Sequence, residues 1–267
     1  MRDLTIIIVS YNNRLDLERC LDSIRQHPPA ISHEILVVDN GSTDGSVETL
    51  RAQWSNVRLV ALDRNVGFAA ANNRGFRESQ SELVLLLNSD TLVPQGSIDR
   101  LVGALRTLPG AAIVGPRLTD AGGRPELSFG RMMSPFVELR QKALVRFGGR
   151  RVIDLTSQSS EVDWVSGACL LVRRTAAESA GLLDERYFMY CEDVDFCAAV
   201  RAQGGRIYFV ADAEVVHLRG RSKTATTNAA YRASQLAFYR KHHPAWAPVL
   251  RFYLAVQGKL PPSGSDK

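Results

Sequence analysis

At 267 residues, 45% hydrophobic and 23% charged, the chain is long enough for one large α/β domain or two modest ones with an ordinary core. A net charge of +5 suits a polyanionic substrate or an anionic membrane surface, and equally a solvated basic surface. Cys20, Cys169, Cys191 and Cys197 form no C-x-x-C pair, so reduced thiols are expected rather than a disulfide framework. Leu4 to Val9 is too short for the apolar core of a signal peptide, and no stretch nears the ~18 apolar residues of a membrane span. A soluble or at most peripheral protein is the expectation.

Leu4 to Val9 reads as a fully buried strand, and Leu17, Cys20, Leu21 and Ile24 fall at helical spacing until Pro28-Pro29. Ile35 to Val38 is a second buried strand, Ser46 to Trp54 a helix and Val57 to Leu62 a third strand. Ala69 to Gln80 reads as helix despite Gly75, and Leu83 to Leu87 is the most apolar strand. Ile98, Leu101, Val102, Leu105 and Leu108 mark an amphipathic helix. Such alternation implies right-handed βαβ units and a largely parallel sheet. From Leu118 to Ser160 the chain reads as loops and short pieces, with a helix over Phe136 to Arg146 facing a second substrate. Structure resumes over Val162 to Val172, followed by helices over Arg174 to Ala180 and Val194 to Gln203. Gly204-Gly205 caps the second of these. Ile207 to Val210 and Glu214 to His217 read as separate short strands, and Tyr231 to Leu260 as a helical tail broken at Pro244 and Pro248. The last seven or so residues read as disordered.

No Gly-x-Gly-x-x-Gly follows the first strand, and there is no Walker A loop or Gly-x-Ser-x-Gly elbow. Dinucleotide, P-loop and α/β-hydrolase chemistry therefore lack support. Instead, polar clusters follow the apolar strands: Ser10-Tyr11-Asn12, Asp39 to Asp44, Asn88-Ser89-Asp90, and Glu192-Asp193-Val194-Asp195. In an open α/β sheet such clusters meet along the carboxyl edge, where ligands bind.

The Asp39 loop has acceptors for a base N–H and ribose hydroxyls, although Asp, Asn and Gly also make plain turns. Small residues from Asn65 through Gly67 to Ala71 permit close backbone approach to a phosphate at a helix start, or merely tight packing. Asp90 suits either a divalent metal bridging two phosphates or an ordinary aspartate opening a loop. Capping explains one or two acids of Glu192 to Asp195, and the apolar wall Tyr187 to Tyr190 would raise a neighbouring carboxyl towards base duty. His217, followed by Arg219, Arg221 and Lys223 in alternation, suits a diphosphate leaving group or an exposed basic edge strand.

Taken in order, these motifs resemble a family 2 glycosyltransferase of the GT-A fold, in the rhamnosyltransferase-like bacterial branch. The matching residues are Val9 to Asn12, Asp39 to Asp44, Asn65 to Phe68, Leu87 to Asp90, Trp164 to Ala168, Tyr190 to Phe196, and His217 with Gly220 and Ser222. The resemblance spans about Thr5 to Lys223. It implies an α/β GT-A fold: a mostly parallel Rossmann-like sheet flanked by helices, a smaller acceptor-side region and a C-terminal helical tail. The expected division is a domain over 1–227, with a nucleotide-binding half to 117 and an acceptor-side and catalytic half from 118, then a tail over 228–267.

The donor site implied by the resemblance comprises Ser10, Tyr11, Asn12, Asp39, Asn65, Gly67, Asn88, Ser89, Asp90, Gly167, Ala168, Arg221 and Lys223. Asp90 matches the last acid of the family's Asp-x-Asp metal motif and His217 its distal metal or diphosphate contact, with Mg2+ or Mn2+ as cofactor. Gly167-Ala168 would border the donor sugar. Asp193 matches the acid that deprotonates the acceptor hydroxyl in inverting members, with Trp164, Glu192 and Asp195 on the acceptor side. The sequence departs from the pattern at Asn88, which removes one metal carboxylate. The Gln-x-x-Arg-Trp signature of processive synthases is also missing, so addition of a single sugar is expected.

The expected donor is a nucleotide-diphosphate sugar, with dTDP-rhamnose favoured and a UDP-sugar open. The acceptor is a glycan or lipid-linked hydroxyl in bacterial cell-surface polysaccharide synthesis; no nucleic acid partner is expected. The rivals are a non-catalytic nucleotide-sugar or glycan-binding module, which would tolerate loss of Asp90 and Asp193, and a nucleotidylyltransferase, which would need a Gly- and Arg-rich first loop. The tail mixes cations with aromatics, which suits either peripheral contact with the inner face of the plasma membrane or packing onto the domain or a homodimer partner.

Overall fold

A computed structural model describes residues 2–138, 149–218 and 225–261. In chain order, the first part holds β1 (Leu4–Ser10), α1 (Arg14–Gln26), β2 (His33–Asp39), α2 (Ser46–Gln53), β3 (Val57–Ala61), α3 (Phe68–Glu78), β4 (Leu83–Asn88), β5 (Thr91–Leu92), α4 (Ser97–Thr107) and β6 (Ala111–Thr119). The second holds β7 (Phe129–Gly130), α5 (Gly149–Leu155), β8 (Ser160–Val162), β9 (Trp164–Val165), β10 (Cys169–Arg173), α6 (Arg174–Ser179), α7 (Glu192–Ala202), β11 (Arg206–His217), α8 (Ala225–His242) and α9 (Ala247–Val256).

The main sheet runs β3-β2-β1-β4-β10-β6-β11-β5, with β8 also on β11. It is parallel across β3, β2, β1 and β4 and again between β6 and β11. β10 is antiparallel to both its neighbours. β1 is buried throughout because helices cover both faces of the sheet. Ile6 and Ile8 face a core built with α1, α2 and α4, while Ile7 and Val9 face one built with α3, α6 and α7. Gly75 sits within α3 because a Cβ there would meet Ile7 Cγ2 at 2.6 Å. All four cysteines are buried and unpaired, and burial pushes the Cys20 thiol up to about 12.

Three elements depart from expectation. The two short strands near the end are one strand, β11, whose register against β6 shifts between Val210 and Glu214. Ala211-Asp212-Ala213 is a weak strand former by itself, and its neighbours hold it in the sheet. Secondly, Glu192 and Asp193 belong to the first turn of α7 rather than preceding it. Thirdly, Pro248 does not break the tail. It lies in the first turn of α9, where proline's missing N–H has no helical partner to lose. The expected helix over Phe136 to Arg146 lies largely outside the described residues, as does the expected disorder of the last residues.

The tail packs on the chain through a third core. Phe238, Tyr239 and Ala247 are buried with Tyr187, Cys191 and Val194, and Trp164 and Leu250 pack against them.

Candidate active site

Sheet register brings the polar clusters together. Ser10 pairs with Asp39, and Val9 on the other side pairs with Asn88, so three strand ends lie abreast. The first two loops are zipped by side chains. The Asn12 N–H donates to Ser42 Oγ at 2.9 Å, the Thr43 N–H to Asn12 Oδ1 at 2.8 Å and the Arg14 N–H to Asp44 Oδ2 at 2.9 Å. Asn12 adopts a left-handed φ of 48°, and Tyr11 stands exposed beside it.

Asp39 is buried. Its Oδ2 accepts the Ser42 N–H at 2.9 Å, while Oδ1 is buried with no partner, as is Ser10 Oγ. Two orphaned acceptors side by side in a crevice fit a ligand with N–H or O–H donors, since such atoms are rarely left unpaired.

Asn40 builds the neighbouring loop. Its amide donates to Asn65 Oδ1 at 3.0 Å and to the Gly67 carbonyl at 3.3 Å, and its Oδ1 accepts the Val66 N–H at 2.9 Å. Gly67 has φ 92°, and a Cβ there would lie 2.7 Å from the Phe188 carbonyl oxygen. That carbonyl accepts the Phe68 N–H at 2.7 Å, which pins the loop before α7 to the start of α3. Asn73 adds a second pin through the Leu183 backbone, at 2.8 and 3.0 Å.

At the end of β4, the Asn88 N–H donates to the Ala168 carbonyl at 2.9 Å, and Asn88 Oδ1 is buried without a partner. Ser89 Oγ accepts from the Asn13 amide at 3.2 Å. β5 begins immediately after Asp90, and Thr91 pairs with His217, so the far end of β11 is carried to Asp90. His217 Nε2 lies 3.3 Å from Asp90 Oδ1, and Nδ1 lies 3.4 Å from Glu126 Oε2. Burial pulls the imidazole's pKa down, but hydrogen bonds and charge from the two carboxylates outweigh it and raise it to about 9.

No group of three or more His, Cys, Asp or Glu side chains forms a metal cage among the described residues. Asp90 and His217 offer one carboxylate and one imidazole, donors that would suit Mn2+ better than a strictly oxygen-seeking cation, with phosphates and water completing the shell. Arg221 and Lys223 lie outside the described residues.

The candidate base is firmly held. Asp193 Oδ2 accepts the Gly167 N–H at 2.9 Å and Oδ1 the Val194 N–H at 2.8 Å. Burial raises its carboxyl above the usual range, against the lowering by those N–H groups. Glu192 is buried with Oε2 unpartnered, and burial together with the Asp193 charge raises it well above its ordinary value. Tyr190 and Cys191, just before, both have left-handed φ, 70° and 64°. Such strain collects where a loop must aim a side chain.

Asp195, expected on the acceptor side, is only 2% exposed and fully engaged. Its Oδ2 accepts from Lys241 Nζ at 2.8 Å, and its Oδ1 meets His242 Nε2 at 2.6 Å and the Tyr187 hydroxyl at 3.2 Å. It therefore holds the tail. Trp164 donates its indole N–H to the Arg131 carbonyl at 2.9 Å and packs where the sheet core meets the tail core. Sequence reasoning missed Asn40, Asn73, Glu126, Lys241 and His242. Only Asn40 carried a signal, being inside a cluster already singled out.

Comparison with known proteins decides the family. Residues 5–179 match Glycosyl transferase family 2. The chain belongs to that family. This glycosyltransferase is 32% identical, over 96% of its length and 92% of the relative's, to the N-acetylglucosaminyl-diphospho-decaprenol L-rhamnosyltransferase of Mycobacterium tuberculosis. Among solved structures it is similar to the mannosyltransferase PcManGT of Pyrobaculum calidifontis, determined with GDP-Man and Mn2+. The TM-score is 0.65 at 19% identity, covering 93% of this chain and 68% of that one. It is also similar to S. aureus TarS bound to UDP-GlcNAc, with a TM-score of 0.62 at 14% identity, covering 89% and 65%. At those identities the likeness speaks to fold alone, and that fold is GT-A.

Proposed function

We propose that this glycosyltransferase moves a single sugar from a nucleotide-diphosphate sugar to a hydroxyl of a lipid-linked glycan acceptor, with inversion, in cell-surface polysaccharide synthesis. The observation that carries the reading is Asp193: a raised carboxyl, oriented by the Gly167 and Val194 N–H groups beside the small residues Gly167 and Ala168. Asp193 takes the acceptor hydroxyl's proton as that oxygen bonds to the anomeric carbon, and the bond from that carbon to the diphosphate breaks. Glu192, pushed well above its ordinary range by burial and by the Asp193 charge, stands next to the base on the acceptor side.

On the donor side the orphaned Asp39 Oδ1 and Ser10 Oγ supply acceptors for the base and ribose. The backbone around Gly67 leaves room for the phosphates. A divalent cation would be held by Asp90 and His217, and when bound it would neutralise charge on the departing diphosphate. Arg221 and Lys223, by their place in the sequence, would add to that neutralisation. The name of the mycobacterial relative, an L-rhamnosyltransferase, favours a rhamnose donor, taken here as dTDP-rhamnose, and its decaprenol-linked acceptor supports a lipid-linked one.

A panel of nucleotide sugars, scored by thermal stabilisation and slow donor hydrolysis in the presence of Mn2+, tests the reading. Stabilisation by dTDP-rhamnose above UDP-sugars is expected. A protein stabilised by no nucleotide sugar would overturn it.

A further inference from the structure

A segment outside every motif of the site completes the surroundings of His217. β6 ends at Thr119, and the chain turns back at once. The Asp120 N–H donates to the Arg124 carbonyl at 2.9 Å, and Asp120 Oδ1 accepts the Gly122 and Arg124 N–H groups at 2.8 and 2.9 Å. The returning chain pairs Pro125 with Thr119, and the Glu126 N–H donates to the Leu118 carbonyl at 2.8 Å. Thr119 also pairs with Val216 of β11, so the turn brings Glu126 to the end of that strand. The Asp90 side is fixed as firmly: Thr91 pairs with His217, and the Leu218 N–H donates to the Asp90 carbonyl at 2.8 Å.

The imidazole lies between the two carboxylates. The side chains of Glu126 and His217 are 11% and 13% exposed and that of Asp90 23%, so little water competes for the ring. The two contacts use different ring nitrogens: Nε2 faces Asp90 at 3.3 Å and Nδ1 faces Glu126 at 3.4 Å. A cation shared by Asp90 and Nε2 would therefore have Glu126 on the far side of the ring. The three groups accordingly form no common cage.

We infer that Glu126 is a positioning residue for the cation site: its carboxylate accepts the Nδ1–H of His217 and so turns the Nε2 lone pair towards Asp90. A neutral imidazole has one N–H and one lone pair, and the bond made by one nitrogen sets the role of the other. A carboxylate behind a ligating imidazole also fixes the plane of the ring and raises its basicity. Loss of that acceptor lets the proton settle on Nε2 or the ring turn over, and either takes the donor from the cation. The inference rests on the reading that Asp90 and His217 hold a divalent cation.

Mn2+ binding is measured by electron paramagnetic resonance on the full chain, with the metal alone and with dTDP or UDP added. Wild-type protein should bind Mn2+ and Asp90→Ala should lose it. Glu126→Ala should weaken the affinity by about 10–100-fold, and Glu126→Gln by less, because its amide oxygen still accepts the Nδ1–H. In a His217→Gln background Glu126→Ala should add no further loss, since no imidazole is left to orient. Attraction of the cation by the Glu126 charge alone would make Glu126→Gln as weak as Glu126→Ala and would persist without the imidazole; either result overturns the inference. Equal affinity of Glu126→Ala and wild type overturns it and leaves the cation reading intact. No Mn2+ binding by the wild type, or binding indifferent to Asp90→Ala, overturns both. A cooperative thermal melt verifies that each variant folds, and Glu126→Met, closer in shape, replaces Glu126→Ala where the latter does not.

Discussion

At Asp193, burial and two backbone N–H donors pull the carboxyl in opposite directions, and burial prevails. A carboxyl so raised is a better proton acceptor than a surface aspartate yet remains oriented, as general-base work requires. Asp193→Asn should keep the fold and the donor-induced thermal shift while lowering transfer by about 10²–10⁴-fold. Near-normal turnover would move the role elsewhere on α7. His217 offers a separate test. Its folded pKa lies above its unfolded value, so its contribution to stability is complete below about 6.5 and is lost as pH rises through about 9. The melting temperature of the metal-free protein should fall across that window, and His217→Gln should flatten the fall. A cation reaching Asp90 and His217 must also displace that proton. Mn2+ affinity measured by calorimetry should then rise with pH, by up to about tenfold per unit between 7 and 9.

Two elements depend on contacts that are distant in sequence. The start of α3 holds the loop before α7 through Gly67, whose φ of 92° and ψ of 165° only glycine adopts readily. Gly67→Ala should cost about 1–3 kcal/mol from backbone strain and displace Phe188 as well. Transfer should fall more than stability, because the displaced loop carries the strained residues that aim Asp193; chemical denaturation alongside initial rates separates the two. α7 is also tied to α8. Asp195 is the buried partner of Lys241, which also bonds Asp184 at 2.9 Å, and of His242. Asp195→Ala removes the anion from a buried cluster and should destabilise by about 3 kcal/mol. A melting temperature unchanged by that substitution would mean that the tail is held by its apolar contacts alone.

Over the whole molecule, the tail packs onto the rest of the chain. Phe238 is fully buried and Tyr239 nearly so, in a core shared with the loop and helix that carry the candidate base. A chain ending before Asn228 should therefore melt lower and transfer poorly even to a soluble acceptor. Activity equal to that of the full chain would make the tail a detachable appendage.

Much of this was legible from residues alone. β1, β2 and β4 declare themselves as short apolar runs because a strand covered on both faces excludes polar side chains. Each polar cluster closes or follows its strand, so the strand ends bearing Ser10, Asp39 and Asn88 could be assigned to one edge before any contact was known. The Asn65 to Gly67 and Glu192 to Asp193 motifs were likewise readable by local pattern. What only the tertiary structure decided are pairings between segments far apart. Glu126 beside His217 comes from a region with no periodicity, Asp195 beside Lys241 and His242 joins residues more than 40 apart, and β10 enters the sheet antiparallel between β4 and β6. Local pattern reports which side chains must leave water, but not which of many compatible partners they leave it with. That choice is made by the packing of the whole chain.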